Sequence, residues 1–365
     1  MALPCVSRLS LCSRTFRLRG ISKIFHSYAP HSTPPIPVSR CFRWQNGATQ
    51  LRKSFTPNNV FSRKFRTKQR IQETETVRSP GRNPDSPSLF KPFVFSVGVC
   101  GCSFLGAMIW NYEKMRKTFQ NLQKGEQRDG QQGRKANMKT FGFRQHMNGF
   151  WTSLSNSQKL VLGIVAANFT VWGLWRVARL QPMMMRYFSS SINHPLPSMV
   201  LATFSHISFL HLFVNMYVLW SFASVAANLY GCEQFSAVYL SGGTLASLGS
   251  ITMHKLLRRP PSVSVGASGA IMALLGIVCV TYPNAQLSIA FVNELFPHSF
   301  SADSGMKAII AFDLLGLALG WRFMDHAGHL GGMIFGILYA KYGQKLVWGK
   351  RESIMKQWHN VRGKP

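Results

Sequence analysis

Hydrophobic residues along this chain gather into seven stretches that are long enough, some only just, to cross a bilayer as helices. A spanning helix needs about 20 mostly apolar residues, and about 17 can suffice. The stretches are Phe93–Trp110, Leu160–Ala178, Ile207–Ala226, Phe235–Ile251, Val265–Tyr282, Met306–Trp321 and Ala327–Tyr342. Trp110, Trp175, Tyr230 and Trp321 stand at their ends, where amphipathic rings settle at a membrane interface. Small residues recur inside the stretches and let helices pack closely without a hydrophobic drive. A polar run of 48 residues, Asn111 to Gln158, separates the first stretch from the other six. The pattern predicts an all-α polytopic membrane protein: one extra transmembrane helix, then a six-helix body.

The charge distribution adds a leader to this picture. There are 42 Lys and Arg against 12 acids, a formal net charge of +30, and charged residues make up only 15% of the chain. The basic residues avoid the apolar stretches and crowd into the N-terminal arm, the polar loop and the tail. From Met1 to Gln72 there are ten Arg and four Lys, and the first acid is Glu73. An Arg-rich, Ser-rich, acid-free start with no unbroken apolar core is the signature of a mitochondrial presequence rather than a secretory signal. The alternative, a basic tail for RNA or anionic lipid, lacks any nucleic-acid module behind it. Prolines at 34, 35, 37, 80, 84 and 87 argue against packing of the arm. The expected organisation is therefore a presequence and disordered arm (1–90), an extra transmembrane helix (91–112), a polar basic loop (113–158), a helical core (159–345) and a basic tail (346–365). Seven scattered cysteines form neither a disulfide framework nor a paired metal motif.

Polar side chains inside a membrane are expensive and point to function. Here they form three clusters. In the first, His206, His211 and Asn215 open the third stretch, with His211 and Asn215 four apart on one helical face. Such a pair could hold a developing oxyanion, or could simply hydrogen-bond between helices. In the second, Gly266-Ala267-Ser268-Gly269-Ala270 makes a helix start almost without bulk, whose free backbone N–H groups can help bind an anion. A small-residue packing face explains it equally well. In the third, His329 lies three residues before Gly332, which forms a G-x-x-x-G face with Gly336. Close backbone approach through those glycines would press His329 against the face carrying Ser268, and a serine becomes a good nucleophile only with a base in hydrogen-bond reach.

The three clusters, in this order, resemble those of the rhomboid intramembrane serine proteases: H-x-x-x-x-H-x-x-x-N, then G-x-S-G, then A-H-x-x-G-x-x-x-G. The resemblance covers roughly 149–343. The presequence and the extra helix before the six-helix core (a 1+6 arrangement) bring it closer to the mitochondrial branch. It implies a Ser268–His329 dyad with no carboxylate third member. It also implies an oxyanion site from His211, Asn215 and the Ser268 N–H, shaped by Gly266, with His206 near the water entry. Gly269, Gly332 and Gly336 would support the packing. Substrates would be single-span membrane proteins cut in or near their helix, in mitochondrial signalling and quality control, with the lipid bilayer as partner. No cofactor, metal or nucleic acid is expected. Two positions depart from the pattern. Gly328 replaces Ala and should loosen the helix locally. Met272 stands where some rhomboids place a Tyr on the catalytic imidazole, and its thioether can still pack there.

Other residues fit lesser roles. Asp313, the one acid well inside an apolar run, could orient a histidine, but is read as a buried group holding helices together. His326 is read as capping or interfacial. Met183, Met184, Met185, Tyr187 and Phe188 suggest a membrane-dipping connector, as rhomboids have there. Rival readings are a metalloprotease, which lacks H-E-x-x-H, a solute carrier, which would show repeated halves, and a catalytically silent rhomboid-like escort, which has no need of both Ser268 and His329. A presequence would deliver the N-terminus to the matrix of an inner-membrane protein. Counting spans then turns the catalytic mouth to the matrix, although the basic loop and tail pull the other way.

Overall fold

The computed structural model describes residues 88–128, 143–260, 262–288 and 299–363. The presequence and nearly all of the arm lie outside them. Each of the seven apolar stretches falls on helix. The elements are α1 (Phe90–Arg128), α2 (Phe143–Ser153), α3 (Asn156–Leu174), α4 (Gln181–Tyr187), α5 (Ser198–Leu201), α6 (Phe209–Leu256), α7 (Ser268–Thr281), α8 (Ala302–Leu319), α9 (His326–Leu338) and α10 (Arg351–Arg362). A two-residue antiparallel ribbon, β1 (Gln286–Leu287) with β2 (Phe300–Ser301), precedes α8. Among the described residues, α6 and the part of α1 from Phe90 to Lys124 are long and apolar enough to cross a membrane by length and composition.

Helix boundaries follow local chemistry. Ser155 and Gln158 form a capping box at the start of α3. Ser301 caps α8, which ends at Gly320 in the left-handed conformation (φ 74°). Asp325 caps α9 by accepting from the Gly328 N–H at 2.9 Å. As a continuous helix the 48 residues of α6 would run to about 70 Å, over twice an apolar bilayer core. Gly231 interrupts it at φ 80°, ψ 161°. His211 near its start lies beside Gly266, while Ala246 and Gly249 near its end lie beside Gly269 and Gly331. The two halves therefore run back along each other and bring the histidines and the α6 C-terminus to the same end.

Helix α7 is the centre of the bundle, buried at every residue from Gly269 to Cys279 except Met272. Leu212, Leu219, Val238, Tyr239, Leu274 and Ile277 fill the main core. The second half of α6, α7 and α9 meet through small residues: a Cβ on Gly332 would collide with the Gly269 backbone, and one on Gly336 with that of Ala273. Helix α9 thus meets the Ser268 helix along its G-x-x-x-G face.

Three regions show more detail than the apolar pattern gave. Helix α1 does not stop near residue 112 but continues to Arg128, and α2 occupies more of the expected loop. The tail holds α10, which lies on α1: the Trp358 indole donates to Glu113 at 3.0 Å, Arg362 pairs with Glu113, and Tyr112 and His359 meet at 2.5 Å. The connector after α3 turns by 96° and buries Met184 while exposing Met183 and Met185.

Candidate active site around Ser268 and His329

The chain enters α7 through Gly266, at φ +129°, a conformation that L side chains rarely adopt. A Cβ there would lie 2.8 Å from His211 Cε1, so glycine also admits the imidazole against the backbone. The Gly266 N–H is held by the Ala202 carbonyl at 3.0 Å. One residue on, the Ala267 N–H donates to His206 Nε2 at 3.3 Å. That bond places the His206 proton on Nδ1, which has no partner. His206 is fully buried, so it fastens the turn before Ser268 and does not stand at a water entry. Its ring lies 5.0 Å from that of His211.

Ser268 is the first residue of α7 and is half-buried. It shares a small cleft with His329, lined also by Gly266, Gly269, Ser264, Asp325 and Gly328. No hydrogen bond joins Ser268 to His329 in this structure; such bonds are often long in unliganded sites and tighten on substrate. His211 and Asn215 do not line the cleft. His211 reaches the chain at Gly266, two residues before Ser268, and Asn215 lies a turn deeper with its amide donating to the His211 carbonyl at 2.9 Å.

His329 arises from the second turn of α9, and its Nδ1 lies 3.2 Å from Asp313 Oδ1. The same oxygen takes His326 Nδ1 at 2.7 Å. Asp313 is 2% exposed. A carboxylate oxygen accepts, so a proton on His329 Nδ1 facing Asp313 would leave the lone pair on Nε2, where a general base needs it. The resemblance implied a dyad with no carboxylate third member; Asp313 nevertheless lies within hydrogen-bond reach of His329 as well as of His326. His326 also departs from expectation. It is not the cap, a role taken by Asp325, but is buried among Phe312, Trp321 and Phe323, with ring centroids 5.6, 6.0 and 5.5 Å away. Gly316, one turn after Asp313, leaves the space that His326 fills.

Asp325 and Ser264 were missed by the sequence reading. The Ser264 hydroxyl donates to Asp325 Oδ2 at 2.5 Å, tying the segment before Ser268 to the first turn of the His329 helix. The signal was present: Asp just before H-A-G-H is a recognisable N-cap. The same cap explains Gly328, since a Cβ there would lie 2.6 Å from Asp325 Oδ2. Met272 packs with the cluster of Leu275, Cys279, Ala302 and Met333. Among the described residues no group of three His, Cys, Asp or Glu is placed to hold a metal ion.

Comparison with known proteins places this geometry among relatives. The Rhomboid domain family matches residues 194–345, which contain every site residue above. The mitochondrial presenilin-associated rhomboid-like protein of Homo sapiens is 44% identical over 290 residues, covering 79% of this chain and 75% of that protein. Presenilin-associated rhomboid-like protein A of Danio rerio is 41% identical over 329 residues, covering 81% and 84%. Mitochondrial Rhomboid protein 1 of Saccharomyces cerevisiae is 32% identical over 211 residues, covering 57% and 60%.

Proposed function

Because the chain belongs to the rhomboid family, we propose that it is an intramembrane serine endopeptidase with Ser268 as nucleophile and His329 as base. The observation that carries this reading is the placement of His329: it shares a cleft with Ser268 while its Nδ1 lies 3.2 Å from Asp313 Oδ1, which leaves Nε2 as the nitrogen for the serine. The Ser268 Oγ attacks a peptide carbonyl, His329 Nε2 takes the hydroxyl proton, and the imidazolium passes it to the leaving amine. Asp313 stabilises that imidazolium without taking its proton. Water then attacks the acyl-serine, again with His329 as base, and releases the new carboxylate. The free N–H groups of the first α7 turn, the Ser268 N–H among them, with the His211 imidazole and the Asn215 amide, are the donors for the oxyanion.

Substrates are single-span membrane proteins whose helix unwinds at the cleft. The relatives named above are called mitochondrial, and most are called presenilin-associated. By that likeness this chain is a multi-pass protein of the inner mitochondrial membrane, one helix followed by six, N-terminus in the matrix, with membrane-protein partners. No metal or cofactor enters the chemistry. A second reading, a silent escort of membrane proteins, is favoured by the missing Ser268–His329 hydrogen bond. Labelling of the detergent-purified protein with a fluorophosphonate serine probe separates them. Labelling lost in both Ser268→Ala and His329→Ala supports the protease; a folded wild type that does not label supports the escort.

A further inference from the structure

At the same end of the bundle as Ser268, outside the catalytic cleft, a second cavity of about 230 Å³ opens beside the C-terminus of α6. Its cationic side is Lys255, Arg258 and Arg259, and no carboxylate lines it among the described residues. Cations near a helix C-terminus have an ordinary role against the helix dipole. That role does not require a concavity, and three further observations point to a ligand. Arg258, at φ 49°, is the left-handed residue that ends α6, where the Arg259 N–H closes on the His254 carbonyl at 2.9 Å, and its side chain makes no ion pair among the described residues. Arg259 spends one guanidinium nitrogen on the Leu317 carbonyl at 2.6 Å, which fixes the group and leaves other N–H donors unused. Ser190, in the cavity wall, is 2% exposed and its hydroxyl has no partner.

The geometry points to a binding site for a phosphate group at this cavity, supplied by an anionic lipid headgroup. Guanidinium forks match phosphate oxygens, and a serine hydroxyl adds a neutral donor. Ile192 and Ile251 give the cavity an apolar side, suited to the glycerol neck of a lipid rather than to a fully hydrated ion. The end of a membrane helix is also the depth at which headgroup phosphates lie, and basic pockets between helices there hold such groups. The site connects to the cleft through backbone. Ser190 and Ser264 exchange N–H···O bonds of 2.8 and 2.9 Å, and Ser264 in turn binds Asp325. An occupied cavity would therefore brace the segment that leads into Ser268.

The test reads binding, so its outcome is independent of whether the protein is a protease. The full chain, purified in a neutral detergent, is titrated with phosphatidylglycerol, phosphatidylcholine, glycerol 3-phosphate and inorganic phosphate, and native mass spectrometry counts the bound species. Wild type is expected to retain phosphatidylglycerol over phosphatidylcholine. Arg258→Gln, which alters an exposed side chain, should weaken that binding about tenfold, the worth of one charge-assisted hydrogen bond, and Ser190→Ala should weaken it less. Lys356→Gln on α10 is the charge-matched control and should bind as wild type does. Glycerol 3-phosphate bound as tightly as the lipid, with the same Arg258 dependence, would keep the phosphate site and overturn the lipid source. Equal phosphatidylglycerol binding by wild type, Arg258→Gln and Lys356→Gln would overturn the site.

Discussion

Replacing Gly332 by alanine would set a methyl group against the backbone of Gly269, one residue after Ser268. The added carbon would lie 2.9 Å from the Gly269 carbonyl carbon and 3.2 Å from its Cα, with the carbonyl oxygen nearer still. Carbon atoms rest at about 3.5–4.0 Å, and the nearer carbonyl oxygen asks for still more room, so α7 and α9 must part by roughly 1 Å or more. Both partners are backbone, and no rotamer change can relieve the clash. Overpacking of this kind costs about 1–3 kcal/mol, or a few degrees of melting temperature per kcal/mol in a body of this size. The effect on chemistry is larger. His329 is carried on α9 one turn before Gly332, so the displacement falls between nucleophile and base, and about 1 Å of misplacement costs on the order of 100-fold in rate. The assay is the pseudo-first-order rate of fluorophosphonate labelling, alongside a thermal melt in the same detergent. Gly336→Ala clashes with Ala273 instead, one turn farther from His329. It should lower the melting temperature about as much and the labelling rate less. Gly163→Ala, where a Cβ meets nothing within 4 Å, is the control. Wild-type labelling and melting in Gly332→Ala would refute the claim that glycine contact sets the Ser268–His329 geometry.

Two further perturbations follow from buried charges. Asp313→Asn keeps the shape of the site but no longer enforces a proton on His329 Nδ1, and labelling should fall by about 100-fold with melting nearly unchanged; the pH–rate profile, shifted in the variant, separates orientation from packing. Lys114→Ala leaves Glu233, 2% exposed, without the ammonium now 2.8 Å away. Stability should drop by about 1–3 kcal/mol, less than for a wholly buried pair because Lys114 is half-exposed, and Glu233→Gln in the same chain should recover part of the loss.

How far these features were legible depends on whether they are local. The clusters at 206–215, 266–270 and 326–336 could be read because helix and cap geometry act over one or two turns, so spacing alone shows that His211 and Asn215 share a face. The partner of His329 could not. Asp313 lies on α8, and each residue of axial rotation turns a helical side chain by about 100°; only packing decides whether the carboxylate meets a histidine or lipid. Besides Asp313 being the one acid well inside an apolar run, Gly316 was a hint, since a glycine one turn beyond a buried acid leaves room for a ring. Glu233 was harder still. It falls between two apolar stretches and reads as an ordinary turn residue at a membrane surface. It is buried because α1 continues past Trp110, brings Lys114 onto it, and stacks Phe104 on Tyr339 at 5.1 Å. The extra helix therefore supplies both the countercharge and an aromatic contact at the end of the bundle opposite the catalytic cleft. The polar run in the sequence set this helix apart from the six-helix body, but removing the helix would leave the buried Glu233 carboxylate without its ammonium, so the two are packed together through a charge as well as through apolar contact.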